Sequence, residues 1–188
     1  MSIEFISWPK TPRLSGAGMI ITEKLDGTNA AVIITEDGNI GAQSRNRLIT
    51  PEDDNYGFAK WVSENHEALV DDLGPGHHYG EWWGSGIQHG YGLPNGDKRF
   101  SLFNTGRWAA KADEFVTPKL DIVPLLSQRQ LDTNEIARVV DNLREIGSRA
   151  VPGFMKPEGV IVYVPRLKGN FKVLLENNDL PKGLVMTR

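Results

Sequence analysis

The sequence predicts an α+β fold of mostly antiparallel sheets with a few flanking helices. Three observations carry this expectation. Short β-branched segments are punctuated by turn residues, with 20 glycines and 11 prolines in 188 residues, a balance that suits many short strands. Only two segments place apolar residues at helical spacing. There is no regular β-α-β alternation and no G-x-G-x-x-G or G-x-x-x-x-G-K-[ST] run, so a dinucleotide-type parallel sheet is excluded.

Taken in order, the chain opens on Trp8-Pro9-Lys10-Thr11-Pro12-Arg13, stiff and extended because each proline restricts itself and its predecessor. Residues 19–24 and 30–35 read as strands. Glu36-Asp37-Gly38-Asn39 is a hairpin turn into a strand over 40–44. Phe58, Trp61, Val62, Leu69 and Leu73 fall near one face of a helix that Gly74-Pro75-Gly76 ends. Strands follow at 77–83 and 99–104, with a shorter one at 120–124. Asp132 caps a second helix, with Glu135 three residues on in a variant of the capping box. Ile136, Val139, Val140, Leu143 and Ile146 form its stripe, and Gly147 stops it. Strands at 159–164 and 171–176 pair across a tight turn at Lys168-Gly169-Asn170.

Composition narrows the function. The length suits one domain. Cysteine is absent, which excludes a disulfide scaffold, a thiolate metal site and a thiol nucleophile. The net charge of −3 confines any nucleic-acid contact to a local patch. No signal peptide opens the chain, and no apolar run approaches the ~18 residues of a membrane span. A soluble, cytoplasmic protein with no membrane partner is expected.

Glu23-Lys24-Leu25-Asp26-Gly27-Thr28-Asn29 runs from an apolar strand into a glycine turn. Lys24 and Asp26 share one strand face, and Glu23 and Leu25 take the other. A lysine amine attacks electrophiles only when deprotonated, and its reference pKa is about 10.4. Neighbouring carboxylates would raise that value, so a hydrated Mg²⁺ held by them is what would free the nucleophile. The same residues also fit a strand-end ion pair at the surface. Arg45 and Arg47 suit ribose, phosphate or carboxylate contacts, or a solvated loop. Tyr79, Glu81 and Trp83 share a strand face, and a carboxylate among aromatics needs a partner such as a ribose hydroxyl. His77 and His78 point to opposite faces and make a poor chelating pair. The aromatics of 99–104, Phe103 among them, read as core or as a stacking platform. Glu158 opens a strand before Gly159. Lys172 lies in an apolar strand, facing away from Phe171, Val173 and Leu175, which are expected to pack as a core layer. A lysine so placed calls for an anion, and a phosphate is the obvious one.

The order of these signals resembles the covalent nucleotidyltransferase superfamily of ATP-dependent polynucleotide ligases and mRNA capping enzymes, over residues 23–176. Lys-x-Asp-Gly, a downstream Arg, a Glu in an aromatic strand, a Phe strand, Glu-Gly and a final Lys occur in the family's sequence. Glu-Lys-Leu-Asp-Gly-Thr-Asn looks most like the first motif of the RNA ligase 2 type and its short phage-encoded relatives, which suggests RNA repair. The resemblance implies a nucleotidyltransferase (ATP-grasp-like ligase) domain with its nucleotide pocket between sheets. It implies that Lys24 forms a lysine–AMP phosphoramidate from ATP, with Mg²⁺ or Mn²⁺ as cofactor. Glu23 would lie beside adenine, Arg45 would contact the ribose and the incoming end, and Glu81 would hold the ribose hydroxyls. Phe103 would stack on adenine, Glu158 would organise metal and nucleotide with Asp26 as a second metal carboxylate, and Lys172 would neutralise the α-phosphate. Asn29 would help place the AMP or the polynucleotide, and Arg45, Arg47 and Lys168 would meet the polynucleotide.

The family's last motif has two lysines spaced Lys-x-Lys, whereas this chain reads Lys172-Val173-Leu174, with Lys168 the nearest other lysine. Twelve residues follow Glu176, so the expectation is one adenylyltransferase domain over 1–188 without a C-terminal nucleic-acid-binding domain. The function implied is an ATP-dependent RNA ligase, monomeric, joining 5′-phosphate to 3′-hydroxyl ends, with a nicked duplex as another substrate. A minimal DNA ligase, a capping guanylyltransferase and a catalytically impaired nucleotide-binding module are the alternatives.

Overall fold

A computed structural model of the chain describes residues 3–11 and 16–176. Pro12 and Arg13 of the expected stiff lead lie outside the described residues. Ten strands form two sheets. The first sheet contains β1 (Gly18–Lys24), β8 (Leu125–Gln130), β9 (Gly159–Val164) and β10 (Gly169–Leu174), in the order β10-β9-β1-β8. The second contains β2 (Thr28–Ile34), β3 (Ile40–Ser44), β4 (Leu48–Ile49), β5 (Gly76–Gly84), β6 (Lys98–Leu102) and β7 (Leu120–Ile122), in the order β4-β3-β2-β5-β6-β7. Every pairing is antiparallel except β6 with β7. The expected α+β class with mostly antiparallel sheets is what the chain adopts.

Each sheet packs one face on helices. Alternation puts Met19, Ile21, Val160 and Val162 on one face of the first sheet. There they meet Val139, Val140 and Leu143 of α4 (Thr133–Ile146). In the second sheet Val32, Ala42, Trp82, Phe100 and Leu102 bury against Phe58, Val62, Leu69 and Leu73. These come from α1 (Phe58–Glu64) and α2 (His66–Leu73), and Trp108 of the short α3 (Thr105–Trp108) joins the same cluster. A third cluster joins the sheets, with Leu25, Trp83, Tyr91 and Val123 at its centre. Apolar burial at roughly 25 cal/mol per Å² makes these layers the main source of stability.

Several elements differ from the sequence expectation. The helix expected over 58–73 is two helices, broken at Asn65 (φ −116°, ψ 24°). Asn65 Nδ2 donates to Trp61 O at 2.7 Å, a local side-chain bond that competes with helix continuation. Asp132 caps α4 by accepting from Asn134 N at 2.9 Å, but Glu135 does not complete a capping box. It is buried, accepts from Ser127 Oγ at 2.6 Å and from Arg138 at 2.8 Å, and ties α4 to β8. β8 was not expected, because its exposed Gln128, Arg129 and Gln130 hide the strand signal. A 3₁₀ turn at Pro165–Leu167 precedes β10. Phe171 is 52% exposed rather than core, although Val173 and Leu175 do pack on the α4 layer.

Candidate active site

The chain crosses from one sheet to the other at the charged motif. Lys24 is the last residue of β1 and Thr28 the first of β2, so Leu25-Asp26-Gly27 is the bridge. Gly27 permits the crossing, since a Cβ there would lie 2.3 Å from Trp82 O and 2.7 Å from Trp83 Cβ. Leu25 anchors the bridge in the third cluster. Asp26 is held at both ends, its N–H donating to Tyr91 Oη at 3.1 Å and its carboxylate bonding His89 Nδ1.

Lys24 pairs in register with Gly159, which brings Glu158 alongside it. The Lys24 ammonium donates to the Glu158 carboxylate, and both side chains are about four-fifths buried. A Cβ at Gly159 (φ +152°) would stand 2.2 Å from Val173 O, so the glycine after Glu158 allows β10 to close on β9. On that sheet Lys172 pairs with Ile161, and Ile161 with Thr22. Lys172 therefore shares the Lys24 face, two strands away. Lys168 is exposed in a left-handed turn (φ 49°).

The second sheet supplies a polar row. Asn29 pairs with Glu81, Glu81 with Ser101, and Ser101 with Asp121. Glu81 accepts from Gly27 N at 3.0 Å and from Asn29 Nδ2 at 3.3 Å. Burial pushes its pKa up to about 7 against the opposing pull of Lys24 and the Gly27 amide, and Glu158 and Asp26 add to the rise. Those influences place Lys24, Asp26, Glu81 and Glu158 in one electrostatic cluster. Ser101 Oγ, beside Glu81, accepts from Trp83 Nε1 at 2.9 Å. A cavity of about 210 Å³ continues past Ser101 to Asp121, flanked by Arg99 and Arg149. Phe103 lies just beyond β6, hydrogen-bonded through its N–H to Tyr79 O at 3.0 Å, and is 41% exposed.

Two expected site residues are engaged elsewhere. Glu23 is 1% exposed on the α4 side of its sheet. It accepts from Ser148 Oγ at 2.6 Å, Arg149 N at 2.7 Å and Ala150 N at 3.2 Å. Both oxygens are hydrogen-bonded and buried, so Glu23 fixes the turn after α4. Its pKa is raised by burial, opposed by these donors. Arg47 is clamped on Asp53 by Nη1–Oδ2 at 2.6 Å and Nη2–Oδ1 at 3.0 Å, a bidentate pair that occupies its guanidinium. Arg45 is exposed just after β3. Sequence reasoning missed Tyr91 and His89. Their signal was the glycine-rich run Gly84, Gly86, Gly90, Gly92, which lets the loop double back onto Asp26.

Among known proteins, a family model described as RNA ligase matches residues 18–175. Among curated proteins no match is found. Solved structures of Naegleria gruberi RNA ligase mutants are similar. One with ATP and Mn has a TM-score of 0.64 and 19% identity, covering 91% of this chain and 56% of that chain. One with AMP and Mn has a TM-score of 0.58 and 21% identity, covering 86% and 50%. A third, without ligand, has a TM-score of 0.62 and 20% identity, covering 90% and 56%. The chain thus spans about half the length of the ligases it matches, and the likeness extends across both sheets.

Proposed function

The chain belongs to the RNA ligase family, and from that premise we propose that it is an ATP-dependent RNA ligase with Lys24 as its nucleophile. The observation that carries this reading is the cluster at the sheet crossing, where Lys24 bonds Glu158 and faces Glu81. Nζ attacks the α-phosphorus of ATP, a P–N bond forms, and the bond to pyrophosphate breaks. The proton leaving Nζ has an acceptor in contact, the Glu158 carboxylate. A 5′-phosphate oxygen of RNA then attacks the same phosphorus and releases the lysine. Finally a 3′-hydroxyl attacks the activated 5′-phosphate and AMP leaves.

Each step is phosphoryl transfer, where positioning and charge neutralisation dominate. Glu81, beside Asn29, holds the ribose hydroxyls, donors that its buried carboxylate needs. Phe103 offers its exposed ring to adenine, and Lys172 meets the α-phosphate from the Lys24 face. Arg45 and Lys168, both exposed, would meet the backbone of the polynucleotide. Among the described residues no three metal-ligating side chains gather. That suits Mg²⁺ or Mn²⁺ held by one or two carboxylates and the substrate phosphates, with Glu158 and Asp26 as the carboxylates. Held there, a divalent ion would supply positive charge to the phosphates and favour the free amine of Lys24. No helix of the described residues is long and apolar enough to cross a membrane.

The test is incubation with α-labelled ATP and Mg²⁺, followed by denaturing electrophoresis and peptide mapping. One labelled lysine, Lys24, is expected, and Lys24→Ala abolishes the label. An adduct on Lys168 or Lys172 would overturn the assignment.

A further inference from the structure

The open end of the Glu81 face carries aromatic residues that the proposed chemistry leaves unused. On β5, Glu81, Tyr79 and His77 alternate onto one face, so Tyr79 stands ~7 Å and His77 ~13 Å along the strand from Glu81. Tyr79 is 54% exposed, His77 is exposed, and their rings are near parallel, with centroids 6.1 Å apart and 19° between planes. Phe103 lies beside Tyr79, bonded to its carbonyl. On the other flank Tyr79 pairs with Ala31, and Ala31 with Gln43. Ala31 is small and fully buried, whereas Tyr79 stays open. The opposite face of the same strand, at His78, Gly80 and Trp82, is fully buried. The exposure is therefore confined to the face that leads to Lys24.

Large aromatic rings at mid-strand normally bury. Flat, exposed rings on a sheet are the way proteins stack the bases of single-stranded RNA. Resting on the ligase reading, we propose that Tyr79, backed by His77, is a stacking subsite for an unpaired base of the RNA being joined. The shelf is continuous with the site through Phe103 and Glu81, and Arg45, just beyond β3, brings positive charge for the backbone of the strand. Acidic Glu36 and Asp37 lie in the turn beyond Ile34, which pairs with Gly76 at the start of β5. They discourage a phosphate chain from running further, so the shelf takes a base near the end of the strand rather than a long tract.

The experiment measures the Kd of the full chain for a short, 5′-phosphorylated single-stranded RNA carrying 2-aminopurine near its 5′ end, by fluorescence. Tyr79→Ala is expected to weaken binding about tenfold or more, Tyr79→Phe to retain it, and His77→Ala to fall between. Melting temperatures verify that the variants are folded. An unchanged Kd for Tyr79→Ala overturns the subsite. So does an equal loss in the rate of Lys24 labelling by ATP, since that would put the ring in the nucleotide pocket. A wild-type chain that takes no label from ATP refutes the ligase reading, whereas one that labels but is indifferent to Tyr79 refutes the shelf alone.

Discussion

Burial of the Glu81 carboxyl lifts its pKa to about 7, which has a consequence for stability. The folded chain holds a proton on Glu81 that the unfolded chain has lost above its ordinary value near 4.5. Folding therefore loses stability as pH rises from about 4.5 to about 7, and the loss is complete above that window. The shift is worth about 3 kcal/mol. Glu81→Gln removes it, so the variant gains on the wild type between pH 5 and pH 8 in urea melts, while losing adenylation. A variant that tracks the wild type at both pH values would show that the carboxyl is well solvated. At this scale the sequence singled out Glu81 by its aromatic neighbours and Lys24 by the glycine that follows Asp26, and the structure brings the two into one cluster. Nothing in the sequence signalled the bonds Glu23 makes, because the Ser148–Ala150 cradle comes from 125 residues away in the chain and leaves no local signature. The Arg47–Asp53 pair was hidden for the same reason in miniature, since Asp53 returns to Arg47 only once the chain after β3 has folded.

Strand alternation did much of the work at the scale of elements. It put Lys172 on the face away from Val173 and Leu175, and the register from β10 through β9 to β1 makes that the Lys24 face. Periodicity found α4 and the helical region before β5 but not the break at Asn65, where one side-chain amide decides against one long helix. β8 was hidden because an edge strand with polar, exposed residues lacks the apolar pattern that reveals a strand. The same register argument separates the two late lysines. Lys172 lies on a strand whose Val173 and Leu175 pack on the α4 layer, so its backbone is fixed. Lys168 sits in a left-handed turn and is exposed, where its charge is screened. A preorganised ammonium at the phosphate stabilises the transition state without reorganisation. Lys172→Ala should therefore slow single-turnover adenylation about 10²-fold, and Lys168→Ala should leave it within a few-fold. The reverse pattern would assign the phosphate contact to the turn.

For the molecule as a whole, the two sheets bring Lys24, Asp26, Glu81 and Glu158 together at their crossing, and the proposed reaction would have to draw a polynucleotide to a chain with a slight excess of acidic residues. The net charge of −3 opposes RNA at long range, so binding has to rest on a few local cations. Arg47 is neutralised by Asp53, which reduces the patch to Arg45, Lys168 and, once ATP has reacted, Lys172. Each phosphate contact on a single strand contributes about 0.7 to the slope of log K against log salt. Two to three contacts give a slope near −1.5 to −2. Stacking on exposed rings adds affinity without adding to that slope, because it releases no counterions. Titrating a single-stranded RNA at several salt concentrations should thus give a shallow slope, with Arg45→Ala reducing it by about 0.7 and Tyr79→Ala lowering the affinity at every salt while leaving the slope unchanged. A steep slope, near −5 or beyond, would require a basic surface much larger than this patch and would refute a recognition mode built on few charges and exposed rings.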